Sequence, residues 1–234
     1  MNITILFSFI LLMVFNNAFA MNFTAKLYEL NSDQKNLLFQ MKREETKVQD
    51  NLSVKNTITD LQGKEAVLEE LTLVEGKISK YLIHQKQLGD ERVLEVKDNK
   101  ILFRTTNKNG ETKMDEEKLV ANLVVGPTVL DYLRKNWDVI LKGETLAIRY
   151  AALDRRETVG FKFFKESDIK CGNQDCVLVK MKPTSFIIAA LVDPLLFTFE
   201  KTSAKLLELK GRTLAKRNLN GDWKDLDAHI VYEY

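Results

Sequence analysis

From residue 21 onward, the sequence consists largely of short segments in which apolar and polar residues alternate. The clearest are residues 146–150, 159–163 and 226–234. A period of two is typical of β-strands with one buried and one wetter face. Turn-forming residues separate such segments, as in Asn-Lys-Asn-Gly at 107–110. Because no helical crossovers come between most of them, the pattern predicts an antiparallel sheet.

The number of strand-like segments predicts that this sheet is bent. Weaker alternation occurs earlier in the chain, at 23–30, 37–46, 53–59, 66–74, 78–87, 93–97 and 101–106. Open twisted sheets rarely exceed about ten strands without curling or splitting. We therefore expect a mainly β protein with a strongly curved antiparallel sheet, an open or half barrel, or alternatively a sandwich. No long linker or repeat divides residues 21–234, which indicates a single β-rich domain with a candidate seam between two sub-sheets at 110–126.

Residues 127–142 depart from the strand pattern. Their apolar residues recur at spacings of three and four: Val129, Leu130, Leu133, Trp137, Ile140 and Leu141. Pro127 suits a first helical turn and Gly143 suits a helix end. The segment is predicted to be one amphipathic helix.

A second departure is the apolar segment 185–192, in which seven apolar residues follow Ser185. Asp193-Pro194 ends it, and this favours a short helix that is apolar all round, with a buried strand as the competing interpretation. Such a helix must be covered on every side. We therefore place Ile187, Ile188 and Leu191 against the concave face of the sheet.

The first twenty residues have the features of a secretory signal peptide. An apolar run at 3–15 precedes Ala18-Phe19-Ala20, which predicts cleavage after Ala20 and a periplasmic mature chain. The run is short for a membrane span, which needs about 20 apolar residues. One departure is the absence of Lys and Arg before the run. A signal anchor and a buried N-terminal helix are the alternatives. No later stretch is long and apolar enough for a transmembrane span.

Cys171 and Cys176 bracket the turn-rich tetrapeptide Gly-Asn-Gln-Asp between two strand-like runs. Two cysteines facing each other across a hairpin pair in an oxidising compartment, so we predict a disulfide. The alternatives are a zinc site, for which neither His84 nor His229 is near in sequence, and a redox pair, which more often has the spacing C-x-x-C.

Little in the sequence indicates catalysis. Lys and Arg number 35 against 33 Asp and Glu, and the resulting charge of +2 does not favour nucleic-acid binding. Gly-rich phosphate loops, H-E-x-x-H and G-x-S-x-G are absent. Alternation places His84 and His229 on the wetter faces of strands. Acidic clusters such as Glu69-Glu70 lie among lysines and are interpreted as solvated faces or caps. We predict no enzymatic activity, no catalytic residue, no metal site and no cofactor.

The second half of the chain contains a characteristic order of elements: a helix beginning Val129-Leu130-Asp131-Tyr132-Leu133, Gly143-Glu144, paired strands, the apolar segment, Phe197-Thr198-Phe199, Gly211 and a strand ending Val231-Tyr232-Glu233-Tyr234. Over residues 124–234 this order resembles exported Gram-negative envelope proteins of unknown function. Their sheets are similar to the curved open barrels of lipoprotein-localisation carriers. The resemblance implies such a barrel; it carries no catalytic motif, and no functional residue is transferred from it.

An excess of apolar residues in this half predicts the ligand site. If the sheet does not close, part of the excess lines a concave apolar pocket, the usual place for a hydrophobic ligand. The candidate ligand-binding residues are Phe161, Phe163, Phe186, Ile187, Ile188, Leu191 and Phe197. The function expected is a periplasmic binding or carrier protein for a lipid or acyl chain. The alternative is a non-enzymatic structural or assembly factor of the cell envelope, whose apolar surface meets another envelope protein.

Overall fold

A computed structural model describes residues 21–190 and 192–234, so the predicted signal peptide and Leu191 lie outside the described residues. In the described chain, fifteen strands form one sheet. The strands are β1 (Phe23–Glu29), β2 (Leu37–Val48), β3 (Asn51–Asp60), β4 (Glu65–Val74), β5 (Lys77–Gln85), β6 (Asp90–Lys97), β7 (Lys100–Thr106), β8 (Thr112–Lys118), β9 (Leu123–Val124), β10 (Leu146–Ala152), β11 (Glu157–Cys171), β12 (Gln174–Pro183), β13 (Leu195–Glu200), β14 (Leu206–Leu219) and β15 (Asp222–Glu233).

The strand order places the first and last strands side by side in the middle of the sheet. The order is β8-β7-β6-β5-β4-β3-β2-β1-β15-β14-β13-β12-β11-β10-β9. Every pair is antiparallel except the short β9–β10 pair, and Leu27 of β1 lies opposite Ile230 of β15. The predicted fold class, a mainly β protein with an open curved antiparallel sheet, is confirmed. Residues 21–190 and 192–234 form one sheet, so the alternative of a two-sheet sandwich is wrong for this part of the chain.

The predicted seam at residues 110–126 is where the chain passes from one end of the sheet to the other. It contains β8, the last strand at one end, and β9, the last strand at the opposite end. Hydrogen bonds that involve side chains join the two ends of the sheet, without backbone pairing between strands. Glu117 of β8 accepts hydrogen bonds from the Thr158 amide (3.0 Å) and the Thr158 hydroxyl (2.6 Å) in β11. The sheet therefore curls until its ends meet but does not close as a barrel.

A bulge in β14 gives a second contact across the curled sheet. The pairing of β14 with β15 shifts between Arg212 and Lys216, and bulges of this kind bend a strand. Gln87 donates to the Lys216 carbonyl (2.9 Å) and accepts from the Lys216 amide (2.7 Å), while Gln85 donates to the Leu214 carbonyl (2.7 Å). These bonds satisfy backbone groups that the bulge leaves without a ladder partner.

Helical residues fill the concave face. A 3₁₀ turn (Gly126–Thr128) leads into α1 (Val129–Lys135) and α2 (Trp137–Leu141), whose Leu133 and Ile140 are completely buried. The predicted amphipathic helix 127–142 has the right position and buried stripe, but the prediction of one continuous helix was wrong. Asn136 leaves helical geometry (φ −113°, ψ 24°) and its side-chain amide donates to the Tyr132 carbonyl. Asn side chains compete in this way with the helix backbone.

The apolar segment 185–192 also differs from its prediction. It forms a helix of only four residues, α3 (Phe186–Ala189), capped by Ser185. The expected placement against the concave face is wrong for Ile187, which is 75% exposed. The physical reason is that α1 and α2 already cover the concave face beneath β11 to β13. The backbone amide of Thr184 instead bonds to the Gly160 carbonyl (2.9 Å), and α3 lies beyond this anchor.

The two cysteines lie across the β11–β12 turn, as the hairpin prediction requires. Cys171 and Cys176 have Cα atoms 6.0 Å apart and sulfur atoms at disulfide distance. Cys176 is completely buried. Among residues 21–190 and 192–234, no three His, Cys, Asp or Glu side chains are grouped so as to hold a metal ion.

Gly211 provides a test of the bend in β14. A Cβ at this position would overlap the Leu195 side chain, and the backbone has a positive φ of 138°. Gly211→Ala is expected to lower the unfolding free energy by about 3 kcal/mol, since overpacking and backbone strain both contribute. Gly110→Ala is the matched control, because its φ is also positive but its Cβ would meet open space. Denaturant titration should show a loss of only about 1 kcal/mol for the control. Equal losses of unfolding free energy in the two variants would contradict the close approach of Leu195 to Gly211.

Candidate functional site

The candidate ligand residues are divided between the core and the surface. Phe163 and Phe197 are buried in the cluster beneath α1 and α2, with ring centroids 5.9 Å apart. Phe161 is partly buried and meets Tyr150 edge-on at 5.9 Å. These residues pack the protein interior, so the structure does not bring all the predicted residues into one pocket.

Phe186 and Ile187 protrude from the opposite side of the Thr184 anchor. Phe186 is 89% exposed and Ile187 is 75% exposed, while Ile188 is partly buried. Val192, just after α3, is 38% exposed. We call Phe186, Ile187 and Val192 the apolar tip. Contiguous exposed apolar side chains of this kind more often mark an interaction site than isolated ones do.

Backbone and side-chain contacts anchor the chain just before the apolar tip. Besides the backbone bond from Thr184 to Gly160, a Cβ added at Gly160 would overlap the Thr184 hydroxyl. The Ser185 hydroxyl accepts a hydrogen bond from the Ile188 amide (3.5 Å), which caps α3. The exposure of Phe186 and Ile187 is therefore set by a fixed strand end and a capped turn.

Three lysines lie on the outer face of the strands from β11 to β14. Lys162 lies directly opposite Lys182, and Lys210 lies opposite Leu196 on the same outer face. In the described chain these three lysines form no ion pair, although Lys182 lies over the Phe164 ring at 5.1 Å. Like charges directly opposite each other destabilise a sheet. We call Lys162, Lys182 and Lys210 the lysine rim; Lys182 precedes the apolar tip by four residues in the chain, and the carboxylate of Asp193 follows the tip.

Two surface concavities elsewhere are polar. One of about 220 Å³ is bordered by Asp90, Arg92 and Arg156, where the sheet ends approach each other. The other, of about 550 Å³, is bordered by Glu44, Lys55, Glu70 and Lys80 on the outer faces of β2 to β5. Hydrophobic ligands favour pockets lined mainly by apolar side chains, so neither concavity has the expected lining.

A row of polar side chains crosses the concave face, and sequence reasoning missed it. Arg43, Asn56 and Glu69 are direct cross-strand neighbours on β2, β3 and β4, and all three are buried. Asn56 donates to Glu69 Oε2 (3.0 Å), and the buried Tyr81 hydroxyl donates to Glu69 Oε1. We call these four residues the polar row. Burial raises the pKa of Glu69, and burial with the nearby Glu69 charge raises that of Tyr81.

The interpretation of Glu69-Glu70 as a solvated pair was wrong for Glu69. The alternation Val67, Glu69, Leu71 was the available signal, because it puts Glu69 on the buried face while Glu70 points outward. His229 is likewise buried, at 9% exposure, with Nε2 3.0 Å from a Glu208 carboxylate oxygen. His84 remains partly exposed beside Glu91.

The polar row is sealed by the helical segment. Arg43 Nη1 donates to the Pro127 carbonyl (3.1 Å). A Cβ at Gly126 would lie 3.1 Å from Glu69 Oε1 and 3.3 Å from the Tyr81 hydroxyl. The Gly126 backbone thus lies directly against the Glu69 carboxylate. The chemistry that the polar row offers is hydrogen bonding between the sheet and the helical segment that covers it.

Comparison with known proteins gives little beyond architecture. No protein-family model matches the chain, and no curated protein matches it significantly. Among solved structures, it is similar to a β-barrel-like protein of the domain of unknown function DUF1849 from Brucella abortus, at 8% identity and a TM-score of 0.46. The alignment covers 92% of this chain and 94% of that one. No helix among residues 21–190 and 192–234 has the length and hydrophobicity to cross a membrane.

The polar row predicts a specific pH dependence. Because the pKa of Glu69 is raised in the folded state, the parent protein loses stability as pH rises from the unfolded pKa through the folded one. Gln stays neutral and still accepts from Tyr81, and a flipped Asn56 amide offers it Oδ1, which has no partner now. The melting temperature of Glu69→Gln should therefore rise relative to the parent between pH 4 and pH 8.

Two further variants control this experiment. Glu70→Gln removes an exposed carboxylate and should show no comparable pH trend. Glu69→Ala leaves Tyr81 and Asn56 without their acceptor and should cost about 2–4 kcal/mol. A difference between Glu69→Gln and the parent that stays constant with pH would contradict the raised pKa.

Proposed function

We propose that this protein is an envelope binding or carrier protein for a hydrophobic ligand, a lipid or acyl chain, and that it contacts the ligand through the apolar tip. The observation that carries the proposal is the exposure of Phe186 (89%) and Ile187 (75%) on a turn that follows the hydrogen bond between Thr184 and Gly160. Fully burying a Phe or Ile side chain is worth about 1.5–3 kcal/mol each. The pair therefore offers a useful gross binding energy to an apolar partner.

The lysine rim supports a lipid as that partner. Lys182 lies four residues before Phe186 and opposite Lys162, neither forms an ion pair in the described chain, and a basic residue near an anionic lipid surface contributes about 1 kcal/mol. Exposed apolar residues that follow basic residues suit acyl chains beneath anionic head groups.

A structural or assembly role is the second candidate. Strand β8 (Thr112–Lys118) has a neighbour on one side only, and its residues are mostly exposed. An unpaired strand edge can accept an extended segment of another protein. In that role the apolar tip would meet a protein surface, and native mass spectrometry of the purified protein separates the two candidates. Co-purified lipid supports the carrier, whereas a stoichiometric protein partner supports the assembly factor.

Replacing the tip side chains tests the proposal directly. The double variant Phe186→Ser, Ile187→Ser should weaken binding of a fluorescent fatty acid by about tenfold or more, because most of the apolar contact area is removed. Its melting temperature should stay close to that of the parent, since both side chains are exposed. The matched control is Val48→Ser, Leu61→Ser, at residues that are 63% and 52% exposed in and beside β2 and β3. Unchanged affinity in the tip variant, or equal loss in the control, would rule out this site.

We also propose that the chain is exported to the periplasm and cleaved after Ala20. The sulfur atoms of Cys171 and Cys176 at disulfide distance are compatible with an oxidising compartment. Protein recovered from the envelope fraction should begin at Met21 and contain no alkylatable thiol. An intact Met1, or a cytosolic pool with two free thiols, would contradict export.

A further inference from the structure

The first described residues are bound tightly to β2. The backbone nitrogen of Met21 donates to Glu45 Oε2 at 2.7 Å, and the amide of Glu45 donates to the Asn22 side-chain oxygen at 2.8 Å. The next residue, Phe23, is buried and lies opposite Arg43. The backbone atom at the predicted cleavage point is thus held against a carboxylate.

That carboxylate is almost inaccessible to solvent. The side chain of Glu45 is 6% exposed and that of Arg43 is 3% exposed. Arg43 donates to Glu45 Oε1 from both Nε (2.9 Å) and Nη2 (2.6 Å). Oxygen Oε1 is therefore used by Arg43, whereas Oε2 faces the Met21 nitrogen.

Two further charged groups lie beside this pair. Arg43 is 3.8 Å from Asp131, whose side chain is 33% exposed, and Arg134 Nη1 lies 2.7 Å from Met21 Sδ. Burial raises the pKa of Asp131 and the Glu45 charge raises it too, while the Arg43, Arg134 and Lys135 charges lower it. Buried carboxylates are costly unless they are paired. Arg134 contacts the Met21 side chain, whereas Glu45 Oε2 faces the Met21 nitrogen, where a cation would pair with it directly.

We infer that the Met21 α-amino group, freed by cleavage after Ala20, is the cation that pairs with Glu45 Oε2 and that maturation completes a buried Met21–Glu45–Arg43 ion cluster. The inference rests on the proposed export. A peptidase hydrolyses the Ala20–Met21 bond with one water: the carbonyl carbon of Ala20 gains the hydroxyl and the Met21 nitrogen gains hydrogen. The amine then takes a proton from solvent. An uncleaved chain offers Glu45 only a neutral amide N–H.

This change strengthens an existing contact without moving the chain. Hydrogen bonds between two charged groups are roughly twice as strong as neutral ones. The ammonium also has three donors, which allow it to reach Glu45 Oε2 from the position that the nitrogen already occupies. The fold therefore reaches its full stability only after the leader is removed, and the precursor remains easier to unfold before export.

A thermodynamic cycle tests the inference on purified protein. Chains that begin at Met21 are compared with chains that retain Phe19-Ala20, each with Glu45 and with Glu45→Gln. Retaining the two residues moves the terminal charge away from Glu45. Glu45→Gln should reduce the folding equilibrium constant about tenfold more in the Met21 form than in the extended form. Equal reductions in both forms would overturn the inference. Glu44→Gln, at an exposed neighbour, is the control and should show no coupling.

A second measurement applies if Glu45→Gln does not fold. Titration of the isotopically labelled α-amino group in the mature parent should give a pKa above the 7.7–8.0 of an ordinary N-terminus. An ordinary pKa would overturn the inference. Both measurements are independent of lipid binding. Loss of binding in the tip variant with coupling at Met21 intact, or the reverse, shows which of the two proposals fails.

Discussion

The dominant constraint on this structure is that a fifteen-stranded sheet cannot remain flat and must cover the concave face that it creates. The chain meets this constraint with its own residues. After β8, at one end of the sheet, it crosses to β9 at the other end and continues through the 3₁₀ turn, α1 and α2. Val125, Leu133 and Ile140 from this stretch are completely buried. An open sheet is thus stable without a second sheet or a closed ladder.

The covering segment also explains why polar groups occur inside the sheet. Backbone at Gly126 and Pro127 turns into a helix here, and such backbone presents unpaired groups that need partners. Arg43 supplies a donor to the Pro127 carbonyl, while Glu69 is held by Asn56 and Tyr81 beneath Gly126. Apolar side chains could not supply the hydrogen bond that Arg43 donates to the Pro127 carbonyl. The polar row therefore specifies how the helical segment is seated, in addition to the less specific apolar packing around it.

The sequence predicted the positions of strands and helices better than it predicted which surfaces pack against each other. Strand alternation identified the curved antiparallel sheet, and the three- and four-residue spacing located α1 and α2, because these periodicities are local. Register between strands is not local, so the row formed by Arg43, Asn56 and Glu69 could be recognised only once β2, β3 and β4 were aligned. Asn136 broke the helix through a side-chain bond that spacing does not reveal.

The apolar segment shows the same limit most clearly. Its apolar composition predicts burial. Hydrophobicity along a sequence does not show whether other residues already cover the surface against which the segment would pack. Here α1 and α2 already cover the concave face beneath Phe163 and Phe197, so Phe186 and Ile187 remain in solvent. Neighbouring exposed apolar side chains mark an interaction site more often than single ones do. The same physical argument that makes the interior a poor ligand site therefore moves the candidate site outward, to the apolar tip and its lysine rim.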